Sequence, residues 1–173
     1  KQAFRLKLMR HAAKKHHLPL IYCNQVGGND ELIFDGNSCV LDANGELLAY
    51  ARECEEDLLL VDLPGIGGEA EDQVDASRDV VDVNGAAAGI NRIEQPSGDL
   101  ASAYHALVLG LRDYCRKCGF TSVVIGLSGG IDSAVTCAIA VAALGSANVR
   151  GISMPSRYSS AGSRDDATVL AEN

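Results

Sequence analysis

The chain has 173 residues, enough for one good core or for parts of two. Its 23 Asp and Glu outweigh 15 Lys and Arg, and the net charge of -8 leaves no overall basic footprint for nucleic acid. No apolar run approaches the ~20 residues of a membrane-spanning helix, and the opening residues read as a mixed helical pattern, not a secretory leader.

In residues 1–17, Phe4, Leu8 and Ala12 recur at helical spacing with Met9 and Ala13 beside them, which predicts a helix resting on that face. His11, His16 and His17 stand beside Lys14 and Lys15, which repel cations, so they read as a solvated face and not as metal ligands. The apolar run LPLIYC at 18–23 predicts a buried strand, with Cys23 as a core thiol. Two further runs, Ser38 to Leu41 and Glu46 to Ala51, flank Asp42-Ala-Asn-Gly45; Asn-Gly between apolar runs predicts a hairpin, because both residues tolerate positive φ. Asp57 to Leu63 reads as one more strand.

From Pro64 to Gly98 the composition shifts to Gly, Ala and acids with no sustained period, as expected of a linker. Asp99 is a candidate N-cap for a helix with the apolar stripe Leu100, Ala103, Tyr104, Leu107, Val108, Leu111, Cys115 and Cys118, stopped by Gly119. Cys115 and Cys118 form a CxxC without a second pair or a suitably spaced His, which argues against zinc. The six Cys are scattered and lie mostly in apolar segments, favouring reduced thiols and a cytoplasmic setting over a disulfide framework.

Val123 to Leu127 is a fully apolar strand and Ile131 to Leu144 a helix ended by Gly145; Val149 to Met154 is a second strand. Ser163-Arg-Asp-Asp166 reads as a capping box for a last helix. Strand, helix, strand with a glycine loop at the first strand's carboxyl end is the layout of a doubly wound parallel sheet, so the expected fold class is α/β. The loop between strand and helix, Ser128-Gly-Gly-Ile-Asp-Ser133, supplies backbone N–H groups, two hydroxyls and one carboxylate. That set suits a polyphosphate: amides and hydroxyls hold its oxygens, and Asp132 is best explained by a Mg²⁺ bridging them. The loop has neither the GxxxxGK[ST] spacing of a Walker loop nor the GxGxxG dinucleotide fingerprint.

SGGIDS after VVIGL closely resembles the pyrophosphate loop of the N-type ATP pyrophosphatases, which transfer AMP to an oxygen of their substrate. ALVLGLRDYCRKCGF at 106–120 and the run from Ser128 to Asn173, with MPSRYSS in it, resemble the NAD synthetases of that group. Residues 18–51 resemble the carboxyl-terminal part of the nitrilase-like glutaminase domain fused to NAD synthetases that use glutamine. The resemblance implies the end of a nitrilase-like α-β-β-α domain at 1–63, an acidic linker at 64–98, and the start of an ATP pyrophosphatase domain at 99–173. It implies ATP and Mg²⁺ as cofactors, with Gly126, Leu127, Ser128, Gly129, Gly130, Ile131, Asp132 and Ser133 at the phosphates and Asp132 on the metal. Met154 and Arg157 would lie on the adenosine side, and Lys1 would match a lysine that helps hold glutamine.

The implied reaction is amidation of deamido-NAD through an adenylated intermediate, with ammonia from glutamine and a homo-oligomeric parent. No nucleic acid or membrane partner is expected. The family's Glu, Lys and Cys glutaminase residues precede this stretch, so the chain reads as a fragment cut at both ends and inactive by itself. Two alternatives stand beside it: a non-catalytic nucleotide-binding or subunit-contact module, and another pyrophosphatase-type amidoligase such as GMP synthetase.

Overall fold

The computed structural model describes residues 2–63, 90–155 and 161–172. Two compact units emerge: residues 1–27 with 34–102, and residues 28–33 with 103–173.

In the first unit a helix, α1 (Gln2–His16), precedes β1 (Leu20–Tyr22), and β4 (Cys39–Leu41) and β5 (Leu47–Tyr50) complete a three-stranded antiparallel sheet in the order β1-β4-β5. Between β1 and β4 run β2 (Val26–Asn29) and β3 (Leu32–Asp35), which pair with each other. The core is Cys39, Leu41 and Tyr50, packed by Leu6, Met9, Leu20, Tyr22 and Leu47. That arrangement shifts the expected face of α1: Met9 and Ala13 turn inward as expected and Leu6 joins them, while Phe4 and Leu8 stay 65% and 55% exposed. The central strand β4 is buried along its length, and Leu6 and Met9 of α1 pack against the core it forms with Tyr50.

β1 is not a buried strand either. Among the described residues it pairs only with β4, and its side chains alternate, so Ile21 points out and Cys23, just beyond the strand, is an exposed thiol and not a core one. The hairpin forms where expected, with a different turn: of Asn44 and Gly45, Gly45 alone has positive φ, +74°. Its N–H donates to the Asp42 carbonyl at 2.9 Å, and Asp42 Oδ1 accepts from the Asn44 and Glu46 amides at 2.8 Å each. The Asp42 side chain thus does the work expected of a second left-handed residue.

Arg5 reaches Asp35 with two hydrogen bonds, 3.1 and 2.5 Å, and Asn24 donates to both Asp35 and the Gly36 carbonyl. Gly36 and Asn37, both at positive φ, turn the chain out of β3 into β4. Asp57 to Leu63 is no strand: Leu60 makes a single bridge, to Ile90, because the adjoining chain is held by side chains. Asp57 Oδ2 accepts from the Arg52 amide, and the Arg92 guanidinium grips Asp57 at 2.6 Å. Residues 64–89 of the expected linker lie outside the described residues, but Arg92 and Glu94 exchange backbone bonds with Tyr50, fixing the end of that stretch on β5.

Burial pushes the Cys39 thiol up from 9.0 to about 11. The unfolded chain therefore loses this proton first, so the stabilising contribution is intact below pH 9.0 and disappears as the pH rises towards about 11. At pH 8 iodoacetamide should label Cys23 and Cys118, which are exposed, well before Cys39 and Cys115, which are buried. Peptide mass spectrometry checks this; early labelling of Cys39 would contradict the packing of α1 on β4.

The second unit is built on α2 (Asp99–Cys118), β6 (Val123–Gly126), α3 (Ile131–Leu144), β7 (Val149–Ile152) and α4 (Ala161–Glu172). β6 and β7 pair in parallel with α3 between them, the expected βαβ unit. At the end of α2, Phe120 N–H bonds the Cys115 carbonyl at 2.8 Å and Gly119 N–H that of Arg116, with Gly119 at φ +76°, a Schellman stop. At its start the Gly98 carbonyl accepts the first helical bond, so Gly98 takes the cap position and Asp99 the first turn, where its charge suits the helix dipole. The capping box at Ser163 is also overturned, since α4 already begins at Ala161.

The stripe expected on α2 is only partly used. Leu100, Tyr104 and Leu107 are exposed, whereas Leu109, Asp113 and Cys115 are buried. Gly110 shows why: a Cβ there would stand 2.9 Å from Ile33 Cδ1, so α2 packs on the 28–33 turn through its small and polar row.

Candidate nucleotide-binding site

The parallel strand β6 delivers the chain into the loop at its carboxyl end, where open parallel sheets present ligands. Leu127, buried, continues the pairing with its N–H on the Ile152 carbonyl at 2.8 Å. Its side chain occupies the space over Gly151, where a Cβ would come within 2.5 Å of Leu127 Cδ1. The loop therefore starts from a fixed anchor.

Gly129 takes φ +78°, a conformation that an L side chain resists, and turns the backbone between Ser128 and Gly130. Gly130, extended at φ -95° and ψ 159°, begins α3 without a side-chain cap, and the Ala134 amide makes the first bond back to its carbonyl at 3.2 Å. The preceding amides of α3, those of Ile131, Asp132 and Ser133, carry the partial positive charge of an uncapped helix start.

The two hydroxyls close the loop on itself. Ser133 Oγ accepts from the Ser128 amide at 3.3 Å, donates to the Gly130 carbonyl at 2.9 Å and lies 3.1 Å from Ser128 Oγ. Ser128 Oγ accepts from the Gly130 amide at 3.2 Å. Hydroxyl oxygens thus stand on the same amides that an anion oxygen would use, so exchanging them for phosphate keeps every donor satisfied. Asp132 is exposed in the first turn of α3, and among the described residues its carboxylate has no hydrogen-bond or ion-pair partner; Thr136 Oγ1 donates to its backbone carbonyl at 2.8 Å.

The structure brings Gly126 to Ser133 together as one turn and sets Met154 beside it: a Cβ on Gly126 would be 3.5 Å from Met154 Cε. Arg157 and Lys1 lie outside the described residues. A cavity of about 330 Å³ opens next to the loop, lined by Gly129, Gly130, Ile131, Ala134, Asp166, Val169 and Leu170. Of the last three, on α4, Asp166 enters the sequence reading only through the capping box, and Val169 and Leu170 stand in no motif, although their spacing of three and four from Asp166 marks one helix face. Among the described residues no three His, Cys, Asp or Glu side chains cluster as a metal site. One carboxylate suits Mg²⁺ only when phosphate oxygens and water complete the shell, which is its usual mode beside polyphosphates. No helix among the described residues is long and apolar enough to cross a membrane.

Residues 2–66 match the carbon-nitrogen hydrolase family and residues 103–173 the NAD synthase family. The whole chain is 44% identical to the glutamine-dependent NAD(+) synthetase of Synechocystis sp. and covers 28% of that protein. Over 154 residues, 89% of this chain and 25% of the relative, it is 47% identical to the glutamine-dependent NAD(+) synthetase of Rhodobacter capsulatus. Among solved structures, glutamine-dependent NAD+ synthetase from Acinetobacter baumannii, in complex with adenosine diphosphate, shares 36% identity at a TM-score of 0.74 over 96% of this chain and 28% of that one. The chain therefore spans little more than a quarter of the relatives it resembles. With a hydrolase match followed by a synthase match on one chain, and that identity across its full length, the chain is similar throughout to a part of the glutamine-dependent NAD synthetases.

Proposed function

We propose that the protein of which this chain is a part amidates deamido-NAD to NAD, adenylating the nicotinate carboxylate with ATP and using ammonia from glutamine. We assign 1–63 to the end of the glutaminase domain, 64–98 to a linker and 99–173 to the start of the synthetase domain; the two family matches support that division. The observation carrying the reading is the Ser128–Ser133 turn: a left-handed Gly129 and an uncapped α3 at the carboxyl end of a parallel strand. The Acinetobacter baumannii relative, whose solved structure is in complex with ADP, supports nucleotide binding.

A carboxylate is a poor electrophile, and adenylation gives it a leaving group. The amides of Ser128 and Gly130, the hydroxyls of Ser128 and Ser133 and the first amides of α3 would hold the departing pyrophosphate and stabilise the charge that develops on it. Gly129 and Gly130 let backbone approach the phosphates closely, and Gly126 and Leu127 anchor the turn to the sheet. Asp132 would hold Mg²⁺, which when bound offsets phosphate charge. Met154, and Arg157 after it, would face the adenosine side.

The test supplies the full-length protein with ATP, deamido-NAD and amide-¹⁵N-glutamine. Label in NAD, with AMP and pyrophosphate released in step, is the expected result. Intact ATP and unlabelled dinucleotide would overturn the assignment in favour of a binding module.

A further inference from the structure

The loop chemistry leaves the buried carboxylate of Asp113 unused. Asp113, in the middle of α2, is 5% exposed, at a position where the helix's packing would otherwise take an apolar side chain. Its Oδ2 accepts the Gly28 amide at 2.9 Å, and Oδ1 faces the guanidinium groups of Arg116 at 3.5 Å and Arg112 at 3.9 Å. One helical turn on, Lys117 Nζ donates to the Gly28 carbonyl. Both polar ends of a single peptide residue are thus held by α2. The approach is close: a Cβ on Gly28 would stand 3.0 Å from Gly110 Cα.

Gly28 lies within the carbon-nitrogen hydrolase match, and Gly110, Asp113 and Lys117 lie within the NAD synthase match, yet all four belong to the second compact unit. Burying a carboxylate is costly, and apolar packing would hold a turn more cheaply, so the charge is better explained by the selectivity of the seat than by its stability. Two glycines face to face with a carboxylate and an ammonium accept one backbone conformation in one register.

We propose that Asp113 and Lys117 form a two-point latch on Gly28 that seats the 28–33 turn on α2, and that the protein needs this seating to use glutamine but not free ammonia. Both are positioning residues. The inference rests on the function proposed above: making NAD from dissolved ammonia needs only the synthetase chemistry, whereas glutamine also needs the hydrolase-matching sequence, of which this turn is the part built into the nucleotide-loop unit.

The experiment compares the full-length wild-type protein with Asp113→Leu, Asp113→Asn and Lys117→Met, measuring NAD formed from glutamine, NAD formed from ammonium, and glutamate released per NAD. Asp113→Leu should lower glutamine-dependent NAD formation about tenfold or more, as loss of one partner in a buried charged hydrogen bond does, with the ammonium rate within about twofold of wild type. Glutamate released per NAD should rise. Asp113→Asn, which keeps an acceptor for the Gly28 amide, should recover most of the loss. If the glutamine-to-ammonium ratio of Asp113→Leu and Lys117→Met equals that of wild type, whether both rates hold or both fall, the latch is refuted. Should Asp113→Leu fail to fold, Lys117→Met decides alone, since that side chain is exposed. A wild type making NAD from neither nitrogen source refutes the proposed function instead.

Discussion

Replacing Asp132 with alanine in the full-length protein is expected to cut deamido-NAD-dependent pyrophosphate release by about 10²–10³, the usual loss when one charge-stabilising group is removed from a reacting centre. The fold should be unaffected, because the side chain is exposed and its carboxylate is bonded to nothing else among the described residues. A carboxylate at the mouth of an anion-binding turn is repulsive unless a cation lies between it and the phosphates. Its charge therefore predicts the kinetic signature. The variant should need more Mg²⁺ to reach half its own maximal rate, and Asp132→Asn, an oxygen ligand without the charge, should fall between alanine and wild type. Normal pyrophosphate release by Asp132→Ala, with an unchanged Mg²⁺ requirement, would remove Asp132 from the site. Loss of release with normal Mg²⁺ dependence would leave it a role in shaping the loop only.

The parts of the fold legible in the sequence are those set by local chemistry. The loop Ser128–Ser133 announces itself because strand, glycine pair and helix start are contiguous, and the same holds for the Schellman stop at Gly119 and the hairpin closing at Gly45. Which side of a helix is buried is a different kind of fact. On α1 the apolar residues run nearly all the way round, so Phe4–Leu8 and Leu6–Met9 are equally good stripes until β4 selects the second. On α2 the partner is a glycine turn some eighty positions earlier in the chain, and it takes the row with Gly110 and Asp113, which no hydrophobic pattern would choose. The apolar run at Asp57 to Leu63 failed as a strand for a related reason. Strand propensity needs a partner strand, and among the described residues this stretch has only the bridge from Leu60 to Ile90, while Arg52 and Arg92 fix it through Asp57. Asp166, Val169 and Leu170 reach the cavity only because α4 folds back beside the loop, a tertiary fact outside any motif.

Leu41→Ala should destabilise the first unit by about 3–5 kcal/mol, near the top of the range for core truncations. Leu41 has no exposed surface, lies on the central strand of three, and shares its core with Cys39 and Tyr50 under α1. Truncation loses the transfer free energy of the removed atoms and leaves a cavity with β1, β5 and α1 around it, which hydrogen-bonded strands cannot readily collapse to fill. Urea titration followed by far-ultraviolet circular dichroism and by Tyr fluorescence would measure the loss. A paired comparison on α1 decides the packing itself. Leu6→Ala removes a side chain seated on that core and should cost about 2 kcal/mol or more. Leu8→Ala trims one that is 55% exposed and should stay within about 0.5 kcal/mol of wild type. The reverse order would mean that α1 rests on its Phe4–Leu8 face after all, and with it would fall the burial of Cys39 that raises the thiol.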